Sequence, residues 1–202
     1  MVARTQYARN GDVSIAYQVV GDGPVDLLLD FGFITHVELL WEEPGLARFL
    51  ARLARFTRLI LDDRRGTGLS DPLPTADLDA QVGDVHAVLD AAGSERAALL
   101  GYTNGGPVCI AYAAAHPERV SHLVLYATFA TNQRSDDVPW TLSVQERVAL
   151  FDEQIAHWGE GRLVDRVAPN AADDPRLRSW FARLERQSAS PGTETGTPRI
   201  LP

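Results

Sequence analysis

The stretch LLGYTNGG, Leu99–Gly106, decides the fold because it joins an apolar strand, a glycine-flanked turn and the start of a helix. Its centre follows the outline G-x-S-x-G, in which a serine nucleophile sits on a strained turn between a strand and a helix. Here Thr103 occupies the serine position. Three interpretations of Thr103 are open: a working nucleophile, a weakened one, or the remnant of a lost one.

On both sides of this stretch, apolar runs typical of buried strands alternate with segments of helical periodicity. Strands are predicted at Val13–Val20, Val25–Phe31, Arg58–Asp62, Ala97–Tyr102 and Ser121–Ala127, and helices at Pro44–Phe56, Ala76–Ala92 and Asn104–Ala115. This alternation predicts an α/β fold with a mostly parallel sheet and helices on both faces.

The alternation stops after Phe129. Two amphipathic helices follow, with apolar stripes at Val144, Val148, Phe151, Ile155 and Trp158 and at Leu177, Trp180, Phe181 and Leu184. We expect an α/β core over 1–131, a helical lid or cap over 132–187, and a disordered tail over 188–202, which is rich in Ser, Thr, Gly and Pro. Packing of the two helices on the flank of the sheet is the alternative to a lid.

Composition excludes several chemistries. The formal charge is −8 and no basic block stands out, so nucleic acid is not an expected partner. All 19 basic residues are arginine, which excludes Schiff-base, Ser-Lys and phosphate-loop lysine mechanisms. Cys109 is the single cysteine and no His-carboxylate cluster has ligand spacing, so neither a metal nor another cofactor is expected. No segment has the apolar length of a signal core or a membrane span, which predicts a cytoplasmic protein without membrane contact.

The chain resembles the α/β-hydrolase family from about Thr5 to Pro191. The resemblance is carried, in this order, by VSIAYQVVGDGPVDLLL, THVELLWEEP, LILDDRRGTGLSD, LLGYTNGGP and HPERVSHLVLY. Within the family it is most similar to the bacterial hydrolase-like domains of adenylate/guanylate cyclase-linked proteins. The resemblance implies an α/β-hydrolase-like fold with a helical lid and carboxylic-ester hydrolase ancestry.

The resemblance also implies roles for individual residues. Gly101, Gly105 and Gly106 belong to the elbow, where strand and helix approach closely. The backbone N–H groups of Asn104 and Phe33 are the implied oxyanion donors. The residues that match the family's D-x-R-G-x-G-x-S loop, with a chiefly structural role, are Asp62, Arg65, Gly66, Gly68 and Ser70.

Two features depart from the family pattern. A β-branched residue such as Thr103 is strained at the positive φ of an elbow. In the family, the triad acid and histidine follow two further strands beyond the lid, and the resemblance therefore implies a C-terminally truncated domain without them. His36 and His157 are the candidate surrogate bases, because His116 and His122 fall too far from the elbow and His86 is expected to be a partly exposed residue in the middle of a helix.

Three functional hypotheses follow. The first is an esterase-like protein that is catalytically impaired. The second is a non-catalytic module that binds a small apolar ester or ligand, with a regulatory partner such as a cyclase. The third is an active hydrolase that uses Thr103 with a surrogate histidine or one supplied in trans. Because strand Ser121–Ala127 is expected to have an unpaired edge, self-association or binding of a separate C-terminal fragment is a further expectation.

Overall fold

A mixed six-stranded sheet forms the centre of the molecule. This computed structural model describes residues 3–32, 34–73, 77–131 and 134–191. The strands are β1 (Gln6–Asn10), β2 (Val13–Val20), β3 (Asp26–Asp30), β4 (Arg58–Asp62), β5 (Ala97–Tyr102) and β6 (Val120–Tyr126). Their order in the sheet is β1-β2-β4-β3-β5-β6, with β2 antiparallel to both of its neighbours and β4, β3, β5 and β6 parallel to one another. The predicted α/β fold class is confirmed.

Within the described ranges, three α-helices connect the strands of the core and three follow the last strand. The core helices are α1 (Pro44–Leu53), α2 (Leu78–Ala91) and α3 (Gly106–Ala115). The later helices, which we call the cap, are α4 (Val144–Ala156), α5 (Val164–Val167) and α6 (Pro175–Ser188). Side chains cap the first turns of several helices. Helix α4, for example, begins with a capping box in which the Ser143 and Glu146 side chains each accept a hydrogen bond from the other residue's backbone N–H.

The alternation of side chains along the strands divides the core between the two faces of the sheet. On one face, Leu28 and Ile60 pack with Val88 of α2 and Tyr112 of α3. On the other face, the residues next to them in sequence pack around Leu50 of α1; they are Leu27, Leu29, Leu59 and Leu61. Each fully buried leucine contributes about 2 kcal/mol of hydrophobic stabilisation, so these central strands are fixed in register.

Two elements were not expected from the sequence. Strand β1 has no β-branched residue, and it forms because it pairs with β2 across a turn in which Gly11 has a φ of 62°. Helix α5 spans only four residues, too few to show a periodic pattern. Helix α1 begins at Pro44 and α3 ends at Ala115, both as predicted, whereas the other predicted bounds of the core helices lie one to three residues beyond the observed ones. Terminal residues of helices are the least constrained by periodicity.

The cap is attached to the core through α6. Trp180 Nε1 donates a hydrogen bond to the Leu39 carbonyl at 3.1 Å, and the Gly68 N–H donates to the Ser188 carbonyl at 2.7 Å. Trp158 Nε1 donates to the Ala189 carbonyl at 3.1 Å. The start of the expected tail, 188–191, therefore contacts the cap and a core loop; the rest of it, 192–202, lies outside the described residues.

The β6 edge of the sheet carries exposed apolar side chains. Leu123 is 39% exposed, Val124 48%, Leu125 44% and Tyr126 65%, so neither face of this strand is fully covered. In the described part of the chain, none of the helices combines the length and the hydropathy that a bilayer crossing requires.

Candidate active site

The elbow turn lies at the carboxyl end of β5. Thr103–Gly105 forms a single 3-10 turn, and α3 begins directly after it. Thr103 has a φ of 47°, in the left-handed region that a β-branched residue seldom adopts. Its Oγ1 donates a hydrogen bond to the Phe31 carbonyl at 3.2 Å. The turn thus has the strained backbone of a nucleophile elbow, with its hydroxyl directed at a backbone acceptor.

The glycines of the elbow lie where a side chain would collide with backbone or with a neighbouring threonine. A Cβ on Gly105 would lie 2.0 Å from the Asp30 carbonyl oxygen, and one on Gly101 would lie 2.6 Å from the Gly106 Cα. A Cβ on Gly106 would lie 1.9 Å from Thr128 Oγ1. The close approach of β3, β5 and α3 therefore requires Gly101 and Gly105 to lack a side chain, and Thr128 occupies the space that a side chain at Gly106 would need.

The loop after β3 packs directly against the elbow. Gly32 has a φ of 81°, and a Cβ there would lie 2.5 Å from the Gly105 nitrogen. Asn104, whose N–H is one implied oxyanion donor, lies in the elbow turn and lines the cleft described below. Phe33, the other implied donor, lies outside the described residues.

Sequence reasoning missed an ion pair between Arg64 and the buried Asp30, which links the end of β3 to the elbow turn. Arg64 Nη2 lies 3.1 Å from Asp30 Oδ2 and donates to the Asn104 carbonyl at 2.7 Å. Asp30 Oδ1 accepts the Gly32 N–H at 2.7 Å. The pair therefore connects the end of β3 to the elbow. The only sequence signal was the doubled arginine of DDRRG, and the family pattern drew attention to the second arginine.

The loop after β4 contains the residues that match the family's D-x-R-G-x-G-x-S pattern. Arg65 forms an ion pair with Asp84 of α2, with Nη2 and Oδ1 2.5 Å apart. Gly66 and Gly68 have φ values of 82° and 54°. Ser70 Oγ accepts a backbone N–H from β2 and donates to a backbone carbonyl of the loop itself. These contacts fix the loop against β2 and α2.

The carboxylate that organises this loop is Asp63, one residue after the Asp62 assigned from the sequence. Asp63 Oδ1 accepts the Val37 N–H and Oδ2 accepts the Leu69 N–H, both at 2.9 Å. Asp62 is also buried, and its Oδ1 has no hydrogen-bond partner within the described ranges. The assignment of Asp62 is therefore wrong: the spacing D-x-R-G-x-G-x-S places its first residue two positions before Arg65, which is Asp63.

Burial raises the pKa of both carboxyl groups. The pKa of Asp63 rises to about 6, although its two backbone hydrogen bonds oppose the shift. Burial, followed by the negative charge of Asp30, raises the pKa of Asp62 well above its ordinary value of 3.8. The folded protein therefore retains a proton on Asp62 at pH values where the unfolded chain has lost it.

We expect Asp62→Asn to stabilise the protein increasingly as the pH rises. The raised pKa of Asp62 stabilises the folded protein fully below pH 3.8. This stabilisation is lost as the pH rises through the pKa of Asp62 in the folded state. Asparagine resembles the protonated carboxyl and does not ionise, so the gain in unfolding free energy is small near pH 4 and grows as the pH rises through the raised pKa of Asp62. Urea unfolding at several pH values measures this difference. The exposed Asp152→Asn is the control, and an equal pH dependence in both variants contradicts the prediction.

Neither candidate surrogate base lines the cleft at Thr103. His36 is buried next to Asp63, and its Nδ1 has no hydrogen-bond partner in the part of the chain that the structure describes. His157 follows α4 and lies 3.2 Å from Glu160 Oε2. Among the described residues that line the cleft, none is a histidine. Over the same residues, no group of three or more His, Cys, Asp or Glu side chains is arranged to hold a metal ion.

A large cleft lies between the carboxyl ends of the strands and the cap. Its volume is about 1600 Å³, and Thr103 and Asn104 form part of its floor. Most of its walls are apolar, with aromatic side chains from both the core and the cap: Phe31, Phe49, Tyr102, Tyr126, Phe129, Trp140, Phe151, Trp180 and Phe181. The arrangement suits a small apolar molecule placed over the elbow.

The fold and the elbow geometry agree with what comparison with known proteins finds. The family model of the alpha/beta hydrolase fold matches residues 32–196, and the chain belongs to this family. The predicted family is thereby confirmed.

Individual relatives are esterases and other hydrolases. The chain is 28% identical over 193 residues to the pimeloyl-acyl-carrier-protein methyl ester esterase of Nitrosomonas europaea, a match that covers 93% of the chain and 72% of the esterase. It is 40% identical over 89 residues to the 2-hydroxy-6-oxononadienedioate/2-hydroxy-6-oxononatrienedioate hydrolase of Paraburkholderia phymatum, covering 40% of the chain and 30% of that hydrolase. The crystal structure of an esterase from Rhodococcus sp. superposes with a TM-score of 0.75 and 27% identity, over 97% of the chain and 72% of the esterase.

Proposed function

We propose that this chain is an α/β-hydrolase-fold protein of carboxylic-ester hydrolase ancestry that binds a small apolar ester or ligand in its cleft and, by itself, does not hydrolyse it through Thr103. The observation that carries the proposal is the surroundings of the hydroxyl. It donates to the Phe31 carbonyl, and no histidine among the described residues lines the cleft. A hydroxyl without a neighbouring base is a poor nucleophile at neutral pH.

The cleft supports the binding half of the proposal. Its apolar walls and its position at the carboxyl ends of parallel strands are typical of ligand sites in α/β proteins. Esterases among the relatives support an ester as the ancestral substrate class. A second candidate, which rests only on the resemblance to cyclase-linked hydrolase-like domains, is a binding module whose regulatory partner responds to the bound ligand.

The proposal is tested by comparing the wild-type chain with Thr103→Ala. We expect p-nitrophenyl butyrate hydrolysis by the two proteins to be equal and close to the buffer background. Both should still bind apolar esters, with a change in the fluorescence of Trp140 and Trp180, which line the cleft. Leu150→Glu places a charge in the cleft wall and should abolish this binding.

Two results would count against the proposal in different ways. Ester hydrolysis that is lost with the Thr103 hydroxyl would instead support an active hydrolase with a surrogate or trans-supplied histidine. Saturable binding that is unaffected by Leu150→Glu would place the ligand outside the cleft.

We also propose that the β6 edge pairs with a second copy of this chain. The strand VSHLVLY has no Asp, Glu, Lys, Arg or Pro to oppose edge pairing, and its apolar side chains are exposed. Val124 and Tyr126 also line the cleft, so a strand added here would extend the cleft wall.

Leu125→Lys is expected to convert a concentration-dependent dimer into a monomer in sedimentation velocity at micromolar concentration. A charge on an edge strand makes burial against another strand unfavourable. Val148→Lys, on an exposed apolar position of α4, is the control and should leave the dimer intact. A monomeric wild-type protein under these conditions contradicts the pairing.

A further inference from the structure

Three aromatic side chains lie next to one another at the carboxyl ends of three adjacent strands. Phe31 follows β3, whereas Tyr102 and Tyr126 are the last residues of β5 and β6. The rings of Phe31 and Tyr102 meet edge to face, with centroids 5.8 Å apart and an interplanar angle of 74°. The rings of Tyr102 and Tyr126 are stacked, with centroids 5.7 Å apart and an interplanar angle of 15°. All three residues line the cleft, and we call them the aromatic row.

The pairing of the strands sets the spacing of the aromatic row. Tyr102 and Tyr126 are register partners in parallel strands, and neighbouring strands lie about 4.8 Å apart. Their side chains therefore point to the same face of the sheet, which brings the two rings within stacking distance. The row also passes the elbow, because the Phe31 carbonyl accepts the hydrogen bond of the Thr103 hydroxyl. A ligand placed over the elbow would therefore lie beside these rings.

The aromatic row ends at an open ring. Strand β6 is the last strand of the sheet, so within the described ranges no further strand covers the side of Tyr126 that faces away from Tyr102. Tyr126 is 65% exposed although it lines an apolar cleft. A planar ring stacked on it would gain an aromatic contact in addition to the apolar area that it buries. The open ring thus favours an aromatic ligand over a saturated one of the same size.

We propose that the ligand of the cleft carries a planar aromatic group, which stacks on the open face of Tyr126 and extends the aromatic row by one ring. This inference rests on the proposed function, because it assumes that the cleft binds small apolar esters or ligands. It is compatible with a second copy paired at β6. Such pairing uses the N–H and C=O groups of the strand edge, whereas the Tyr126 side chain projects from the face of the sheet.

The test compares 2-naphthylmethanol with decahydro-2-naphthylmethanol, which has the same carbon skeleton and the same hydroxyl but no aromatic ring. Binding of each probe to the full chain is measured by equilibrium dialysis, and the free probe is quantified by gas chromatography. We expect the aromatic probe to bind about fivefold more tightly, since an aromatic pair contributes beyond its buried area. Both probes should lose binding in Leu150→Glu, because that variant places a charge in the cleft wall.

Variants assign this preference to one ring. Tyr126→Leu keeps an apolar side chain and removes the ring, so it should weaken binding of the aromatic probe alone and reduce the preference to less than about twofold. Tyr126→Phe keeps the ring and should retain the preference. Tyr7→Leu is the matched control, since Tyr7 is an exposed tyrosine of β1 that lies outside the cleft. Leu125→Lys, which is expected to be monomeric, should also retain the preference.

The outcomes separate this inference from the proposed function. Equal affinity of the wild-type chain for the two probes overturns the aromatic preference and leaves an apolar site. A preference that survives Tyr126→Leu, or that is lost in Tyr126→Phe or Leu125→Lys, overturns the ring of Tyr126 in a single chain as the stacking surface. Absence of binding by both probes overturns the proposed function as well.

Discussion

Gly105→Ala is expected to lower the free energy of unfolding by about 3 kcal/mol and to disrupt the elbow. The added Cβ would lie 2.0 Å from the Asp30 carbonyl oxygen, and the φ of Gly105 is −72°, so the cost is purely steric. The colliding atom belongs to the backbone of a central strand and cannot move aside as a flexible side chain would. Urea unfolding monitored by circular dichroism measures the loss.

Gly93→Ala is the matched control for this experiment. Gly93 has a φ of 67°, and a Cβ added there would meet no neighbouring atom within 4 Å, so alanine carries backbone strain without a collision. Its expected cost is about 1 kcal/mol. If Gly105→Ala costs no more than Gly93→Ala, the close packing of β3 against the elbow is not what requires the glycine.

Glu185→Ala is expected to lower the free energy of unfolding by about 3 kcal/mol and to increase local opening in the cap but not in the core. Glu185 is a buried residue of α6 whose carboxylate accepts the N–H groups of Gly159, Gly161 and Leu163, at 2.8, 3.0 and 3.4 Å. Alanine would leave these amides without acceptors in a segment that joins α4 to α5. Hydrogen exchange at the Gly159 and Gly161 amides should accelerate strongly, while exchange in β3 and β5 should change little.

Two further variants separate the role of the acceptor from that of the charge. Glu185→Gln keeps one acceptor oxygen and should give an intermediate loss. Glu153→Ala, at an exposed position of α4, should change stability by less than about 0.5 kcal/mol. Exchange in the 159–163 segment that is unaltered by Glu185→Ala would contradict this account of the cap.

The sequence predicted the core far better than the cap. Strands such as β4 and β5 were placed at their observed bounds because buried apolar runs in a parallel sheet are long and uninterrupted. The elbow was recognisable because its glycines are required by backbone contact, which leaves a fixed spacing in the sequence. The short helix α5 and the contacts of Glu185 left no such spacing, since they depend on tertiary packing alone.

Within the site, local patterns could not supply pairings between distant segments. The ion pair between Asp30 and Arg64 joins residues that are far apart in sequence. The spacing of D-x-R-G-x-G-x-S points to Asp63, but the two loop amides that its carboxylate accepts are visible only in the structure. Such contacts follow from the three-dimensional arrangement of loops.

Our central proposal is that the described residues place no base where it could activate the Thr103 hydroxyl. The most direct measurement is intact-mass spectrometry of the purified protein after incubation with a fluorophosphonate, with Thr103→Ala treated in parallel. The account predicts no adduct on Thr103 and identical spectra for the two proteins. An adduct that maps to Thr103 and is absent from Thr103→Ala would contradict it.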